Sequence, residues 1–389
     1  MTMSKVCVWS LALLCGYVCA LTGCVGQVVS EPGTLDPGPT MDGELEDLAL
    51  ADGASGWQPV AQPVGEGEPP PPVEEPPTEE PPVMGPRDLG PLPAELSGLR
   101  WPTAPSITRE VTVTDGASLT REVGVAGTRV IANGVSGTSV TVTANDVEIV
   151  LDSSSRLGQL SFAHGVHRVR VVGGQWSGVR FPIPASWDGG GPSYRSDWMA
   201  EDISLEGLRV VSGDIAFDVR GRRIAIMDST AIAERYSVWC GDTGPMQTED
   251  LILFRNDFDS AGPESTVRLV SVLRTATVEN RIANTNKHNY RIHGLSDLAY
   301  ARDNVLVGTG VMLGRMAGDT LDRIWFDDNV FHHVAPDLFN PDGAIGALHA
   351  RNNLVMTDVW SCFYCGAPPA AWDIRDNVVM PYEPEPAGR

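Results

Sequence analysis

The segment ARDNVLV, residues 301–307, is one of six renderings of a single phrase, the others being FRNDF (254–258), VENRI (278–282), DDNVFHH (327–333), ARNNLVM (350–356) and IRDNVVM (374–380). Their asparagines, Asn256, Asn280, Asn304, Asn329, Asn353 and Asn377, stand 24, 24, 25, 24 and 24 residues apart. A fixed period of this size marks a solenoid, in which each repeat buries its apolar face only by stacking on its neighbours. The leucine spacing of leucine-rich repeats is missing. Each repeat instead holds short alternations such as VTVTAND, VEIVLD, HRVRVVG, DLILFRN and DRIWFDD. These are rich in Val and Ile, are bounded by Gly, Asn and Asp, and leave no room for a helix, so one repeat reads as one turn of a parallel β-helix. Asparagine at a constant rung position has a mechanism: it tolerates left-handed backbone, and its amide bonds backbone groups or the Asn of the next coil. Towards the amino end the pattern continues less regularly through Ser229, Gly207, Gly174 and Asp152, and DGASLTREVG (115–124) reads as a cap over the first coil.

The chain has 389 residues and a formal net charge of -22, but the charge is unevenly placed. Residues 31–95 hold 16 of the 30 prolines and 15 acidic residues against one basic residue, which is -14; with the +1 of Lys5, residues 96–389 carry -9. With 26 Lys or Arg against 35 Asp or Glu, those residues offer nucleic acid no net attraction. At 42% hydrophobic residues overall the chain is rich enough for a large core there, and global disorder is excluded. The acidic, Pro-rich stretch reads as a disordered, extended stalk; residues 66–93 would span up to about 85 Å at roughly 3.1 Å per residue.

Before the stalk, Lys5 is followed by an uncharged apolar run of about 16 residues, short for a spanning helix and matched to the core of an export signal. It ends in Leu21-Thr22-Gly23-Cys24, which resembles the lipobox of bacterial lipoproteins. That resemblance implies a signal peptide over 1–23, a mature chain beginning at Cys24, acylation (palmitate among the chains) of Cys24, and attachment to a lipid bilayer at an outer membrane or cell surface. The domain reading is therefore signal peptide 1–23, lipidated amino terminus and linker 24–95, and β-helix 96–389. Once Cys7, Cys15 and Cys19 leave with the signal and Cys24 takes lipid, Cys240, Cys362 and Cys365 remain. Three cysteines allow at most one internal disulfide, for which Cys362 and Cys365 are the candidates, and at least one free thiol.

Over roughly residues 102–385, the Asn-bearing coil phrases resemble the pectin-lyase-like superfamily of right-handed parallel β-helices. The implied fold is an all-β solenoid of about 9–11 coils, allowing for the cap and an excursion near 181–198. In this superfamily lyases use arginine or lysine on uronate polysaccharides, commonly with calcium held by acidic residues.

Strand alternation places the candidate residues. In TVRLVS, Val267 and Leu269 point inward and Arg268 outward; in NYRIHG, Tyr290 and Ile292 point inward and Arg291 and His293 outward. By the same rule Trp239, Asp218 and Arg220 are exposed on preceding coils, and Arg315, Asp337 and Asp342 extend the file. Lys287 is the only lysine after Cys24, beside His288 and four residues from Arg291. Lysine differs from arginine in shifting its pKa readily when desolvated or near other cations. Lys287, Arg291, His293 and Arg268 form the candidate catalytic group, with Asp218, Trp239, His288 and Arg315 as substrate contacts. β-Elimination suits such a set, since a cation must offset enolate charge while a base takes the α-proton. No compact aspartate set shares the coil of Lys287, so calcium stands only as the family's usual ion and no other cofactor is implied. Adjacent His332 and His333 face opposite ways and make no metal site. Trp176 and the aromatics of 187–198 read either as a lip over a sugar groove or as cover for the coil stack.

Two functional readings follow. In one, a surface-anchored monomer binds acidic or neutral polysaccharide and cleaves it by elimination. In the other, the β-helix is a non-catalytic envelope or adhesin-like rod. A fold that hosts many functions does not choose between them.

Overall fold

The computed structural model describes residues 87–182, 199–241, 248–284, 286–314, 320–332, 337–341, 344–358, 362–364 and 369–381. These residues form a right-handed parallel β-helix with three sheets. The first sheet has twelve strands, from Arg109–Val113 to Ala371–Arg375; the second has nine, from Gln175–Trp176 to Val378–Met380; the third has ten, from Val140–Val142 to Cys362–Tyr364. Eight turns carry a strand in all three sheets, the first being His167–Val172, Gln175–Trp176 and Gly178–Arg180, and the last Ala344–Arg351, Leu354–Met356 and Cys362–Tyr364. The earliest rungs lack a second-sheet strand and are linked there only by the bridges Ser136 to Arg156 and Arg156 to Gln175. The number of complete turns is therefore lower than the nine to eleven expected, although the first sheet has more rungs than that.

The cap is where the sequence places it. Gly116–Glu122 is an α-helix whose N-cap, Asp115, accepts from the Ser118 amide, and Leu119 and Val123 close the end of the core. Inside, each file of like residues is continuous, as in Val219, Cys240, Leu269, Ile292 and Leu313. Trp176 belongs to this interior and is no lip over a groove. Cys240 is a buried free thiol, and desolvation pushes its pKa up to about 12.

The asparagine ladder runs from Asn256 to Asn377. Each side-chain oxygen accepts from the backbone amide and the side-chain amide of the preceding Asn, as when Asn304 Oδ1 receives both from Asn280 at 2.9 and 3.0 Å. Ser229 takes the rung below Asn256, whose Oδ1 accepts from the Ser229 amide. The left-handed conformation expected of the asparagines belongs instead to the residue before each: Arg255, Glu279, Asp303, Asp328, Asn352 and Asp376 have φ between 53° and 57°. That residue makes the bend, and the asparagine, freed from strain, ties coils together. Asp328 is thus turn scaffold.

A second left-handed file breaks the first-sheet strands and alternates in charge: Asp146, Arg168, Asp202, Arg223, Asp250 and Arg274. Arg168 pairs with Asp146, Arg223 with Asp202 and Arg274 with Asp250. These charge-assisted bonds offset the strain of non-glycine residues at positive φ.

The outer face of the first sheet is apolar too, with Ala225, Met227, Ile252, Phe254, Ala276 and Val278 along its middle. Residues 87–108 cover it as a strap that runs out and back. Arg87 pairs with Glu206, Leu89 joins the apolar strip, and Leu96 packs on Leu298, Tyr300 and Trp325 after the Pro91 carbonyl has accepted from Tyr300. The chain returns through Leu99 and Trp101, and its amides at Thr103 and Ser106 donate to Asp202 and Asp146. Packed chain therefore already exists at residues 87–95, ahead of the boundary expected at 96. No helix among the described residues is long and apolar enough to cross a membrane.

Candidate functional site

The outward file of the third sheet is assembled rung by rung. Arg180 pairs in register with Asp218, Asp218 with Trp239, Trp239 with Arg268, Arg268 with Arg291, and Arg291 with Met312. Five successive coils thus present charged or aromatic groups about 4.8 Å apart. Their strand neighbours Phe217, Val219, Val238, Cys240, Val267, Leu269 and Ile292 lie in the core, so the alternation expected from sequence holds.

Exposure does not follow from it. Arg268 is 8% exposed, Arg291 2%, His293 0%, Asp218 7% and Arg220 5%, while Arg180 and Trp239 are half-buried. The side chains lie flat along the sheet and cover one another. The Arg268 guanidinium sits 4.4 Å over the Trp239 ring, its Nη1 donates to Tyr236 Oη at 2.8 Å and its Nε donates to His293 Nε2 at 2.9 Å. Because Nε2 accepts, the His293 ring proton resides on Nδ1, and the ring positions Arg268 rather than offering it a free base. Tyr236 meets Trp239 edge-on at 4.7 Å. Asp218 pairs with Arg220, and Arg291 Nη1 lies 3.7 Å from Glu264. The expectation that these are exposed surface groups is corrected: they form a packed polar layer outside the hydrophobic core.

Lys287 and His288 edge this layer from the turn that leads into Tyr290–His293. The Asn284 side chain accepts from the Lys287 amide at 2.7 Å and fixes the turn, leaving the lysine exposed. His288 is half-buried, and desolvation first, then Lys287 and Arg291, lowers its pKa to about 4, so it is neutral at pH 7. Its Nδ1 has no hydrogen-bond partner among the described residues. The arrangement joins fixed cations, an aromatic face and one neutral imidazole. It can hold an anion and place a weak base beside it.

The structure brings together seven of the expected residues: Asp218, Trp239, Arg268, Lys287, His288, Arg291 and His293. Arg315 and Asp342 fall outside the described residues, as do Cys24, Cys365, residues 187–198 and everything through residue 86, where the signal and linker are expected; Asp337 lies in a third-sheet strand, but its side chain, like that of Cys362, is not described. Among the described residues no group of three or more His, Cys, Asp or Glu is placed to hold a metal. Sequence reading missed Tyr236, Glu264 as the partner of Arg291, and Arg180. Tyr236 lies just before the stretch that pairs with the Arg268 strand, where alternation no longer governs direction. Arg180 was findable by extending the file one coil below Asp218.

No protein-family model and no curated protein matches the chain.

Proposed function

We propose that this β-helix binds an acidic polysaccharide along the outer face of its third sheet. The observation that carries the reading is the collinear file Arg180, Asp218, Trp239, Arg268 and Arg291, edged by exposed Lys287. A linear polymer meets a linear row, Trp239 offers a ring to an apolar sugar face, and Lys287 draws in carboxylates. The resemblance to the pectin-lyase-like superfamily supports the same reading, and lipidation at Cys24 would display the protein on an outer membrane or cell surface.

Elimination on a bound uronate is the reaction the group accommodates. His288, neutral at pH 7, takes the proton α to the carboxylate; Lys287 and Arg291 offset the enolate charge; the electron pair then forms the double bond as the glycosidic oxygen on the β-carbon departs and takes a proton from water. Among the described residues no group of acidic side chains is placed to hold calcium. The second reading, a non-catalytic envelope rod, draws on the local pairing of Asp218 with Arg220 and of Arg291 with Glu264.

Incubating the intact chain with polygalacturonate, alginate and a glucuronan, with and without calcium, tests all of this. Salt-sensitive binding that falls severalfold in Lys287→Ala supports the docking face, and unsaturated product absorbing in the ultraviolet supports elimination. Binding without product retains the face and removes the chemistry. Absence of both leaves the rod.

A further inference from the structure

A second cleft lies on the first sheet, where the strap turns. It encloses about 410 Å³ between residues 91–95 and two files on three successive coils. One file is aromatic: Tyr300 pairs in register with Trp325 and Trp325 with His349, whose ring stacks on the indole at 5.3 Å and 8°. The other is charged: Arg302, Asp327 and Arg351. This volume falls within the range of about 300–1,000 Å³ usual for small-molecule sites.

The charged file is unevenly satisfied. Arg302 is held 2.7 Å from Asp303 and donates to the Pro91 carbonyl at 3.3 Å. Arg351 is held by Asp373 at 2.8 Å and contacts His349 Nδ1 at 3.1 Å. Neither donates to Asp327, which stands between them. Its Oδ1 is buried with no hydrogen-bond partner among the described residues, and desolvation is the first cause of a pKa raised to about 6. A desolvated acceptor without a donor is costly, and at a cleft wall it marks a place where a ligand would supply one.

The surroundings restrict the ligand's chemistry. An anion meets Asp327, Asp328 and Glu95, and both arginines, still charged, already hold other carboxylates. An ammonium group meets Arg302 and Arg351 on the flanking rungs. A metal lacks the three ligands it needs among the described residues. A neutral, hydroxyl-rich ring satisfies every condition: its hydroxyls donate to the carboxylate and its C–H face rests on flat aromatic walls.

We propose that the cleft between the strap and the first sheet binds a neutral sugar residue, with Asp327 as hydroxyl acceptor and the His349 ring, backed by Trp325, as its wall. The site is independent of the third-sheet face and stands whether or not that face binds acidic glycan.

Histidine-ring NMR of the intact chain, titrated separately with glucose, galactose, mannose, xylose and glucuronate, tests it. His349, assigned through His349→Phe, should shift saturably with at least one neutral sugar and more weakly with glucuronate. Asp327→Asn keeps the shape but replaces the charged acceptor and should weaken binding about tenfold, or 1.4 kcal/mol, while Lys287→Ala leaves it unchanged. A thermal midpoint in Asp327→Asn that is not lowered shows that the loss is local. No saturable shift with any neutral sugar, a preference for glucuronate, or equal binding by Asp327→Asn would overturn the assignment.

Discussion

Replacing Asn304 by alanine removes four hydrogen bonds from the middle of the ladder. Its Oδ1 accepts from the Asn280 backbone and side-chain amides at 2.9 and 3.0 Å, and its Nδ2 donates to the Thr277 carbonyl at 2.8 Å and to Asn329 Oδ1 at 2.9 Å. Some losses are cushioned. Asn280 Nδ2 still reaches Leu253 and Val278 carbonyls, and Asn329 Oδ1 still receives the backbone amide of residue 304. The Asn280 amide is not cushioned, because Asn304 is its acceptor and the site is 1% exposed. With the two cushioned bonds adding little, about 1 kcal/mol for the lost Thr277 bond plus roughly 1–3 kcal/mol for the stranded Asn280 donor puts the cost at about 2–4 kcal/mol. On the last described rung of the ladder, Asn377 is only half-buried, so water can replace what its truncation removes and Asn377→Ala should cost about 1 kcal/mol. Urea unfolding of the two variants beside wild type measures the contrast. A midpoint for Asn304→Ala indistinguishable from wild type, or equal to that of Asn377→Ala, refutes the ladder as a source of stability.

Asp327→Asn should stabilise the fold above pH 6 by about 1 kcal/mol, the value appropriate to a half-exposed, screened group. The sign follows from a folded-state pKa raised from 3.8 to about 6: the native state holds the proton more tightly, so wild type loses stability as pH rises between those values and the variant's gain disappears below 3.8. Thermal melts at pH 3.5 and 7.5 check this, and a gain equal at both would contradict it. Leu96→Ala, at a fully buried strap position, should lose about 2–4 kcal/mol of local packing, read as faster hydrogen exchange at residues 87–108 with ladder amides still protected. Cys24→Ala should abolish acylation and leave the signal uncut, as mass spectrometry of the amino terminus would reveal.

The repeat was legible because Asn256, Asn280, Asn304, Asn329, Asn353 and Asn377 impose their period on the chain, and the inward set Val267, Leu269 and Ile292 followed from alternation alone. Alternation gives direction, not depth. Arg268 is buried because Trp239, Tyr236 and His293 close around it, three contacts contributed by two other coils. The strap was hidden by its composition, since prolines there read as stalk. Its signal was present nonetheless: leucines at 89, 92, 96 and 99, and first-sheet strands such as DLILF that are apolar on both faces and so require a cover. The cleft was illegible for the same reason, as one wall belongs to that strap.

The out-and-back path of residues 87–108 determines how the protein bears load. A pull from the amino-terminal side arrives at the Arg87–Glu206 pair, beside coils in the body of the stack, rather than at the first strand, Arg109–Val113. It must shear Leu89 and then Leu96 off the apolar face and strip the return leg from Asp202 and Asp146 before any tension reaches a coil. Arranged this way, the strap would act under such a pull as a mechanical fuse, yielding first in a segment that can re-dock and sparing the stacked turns from being unwound end-first.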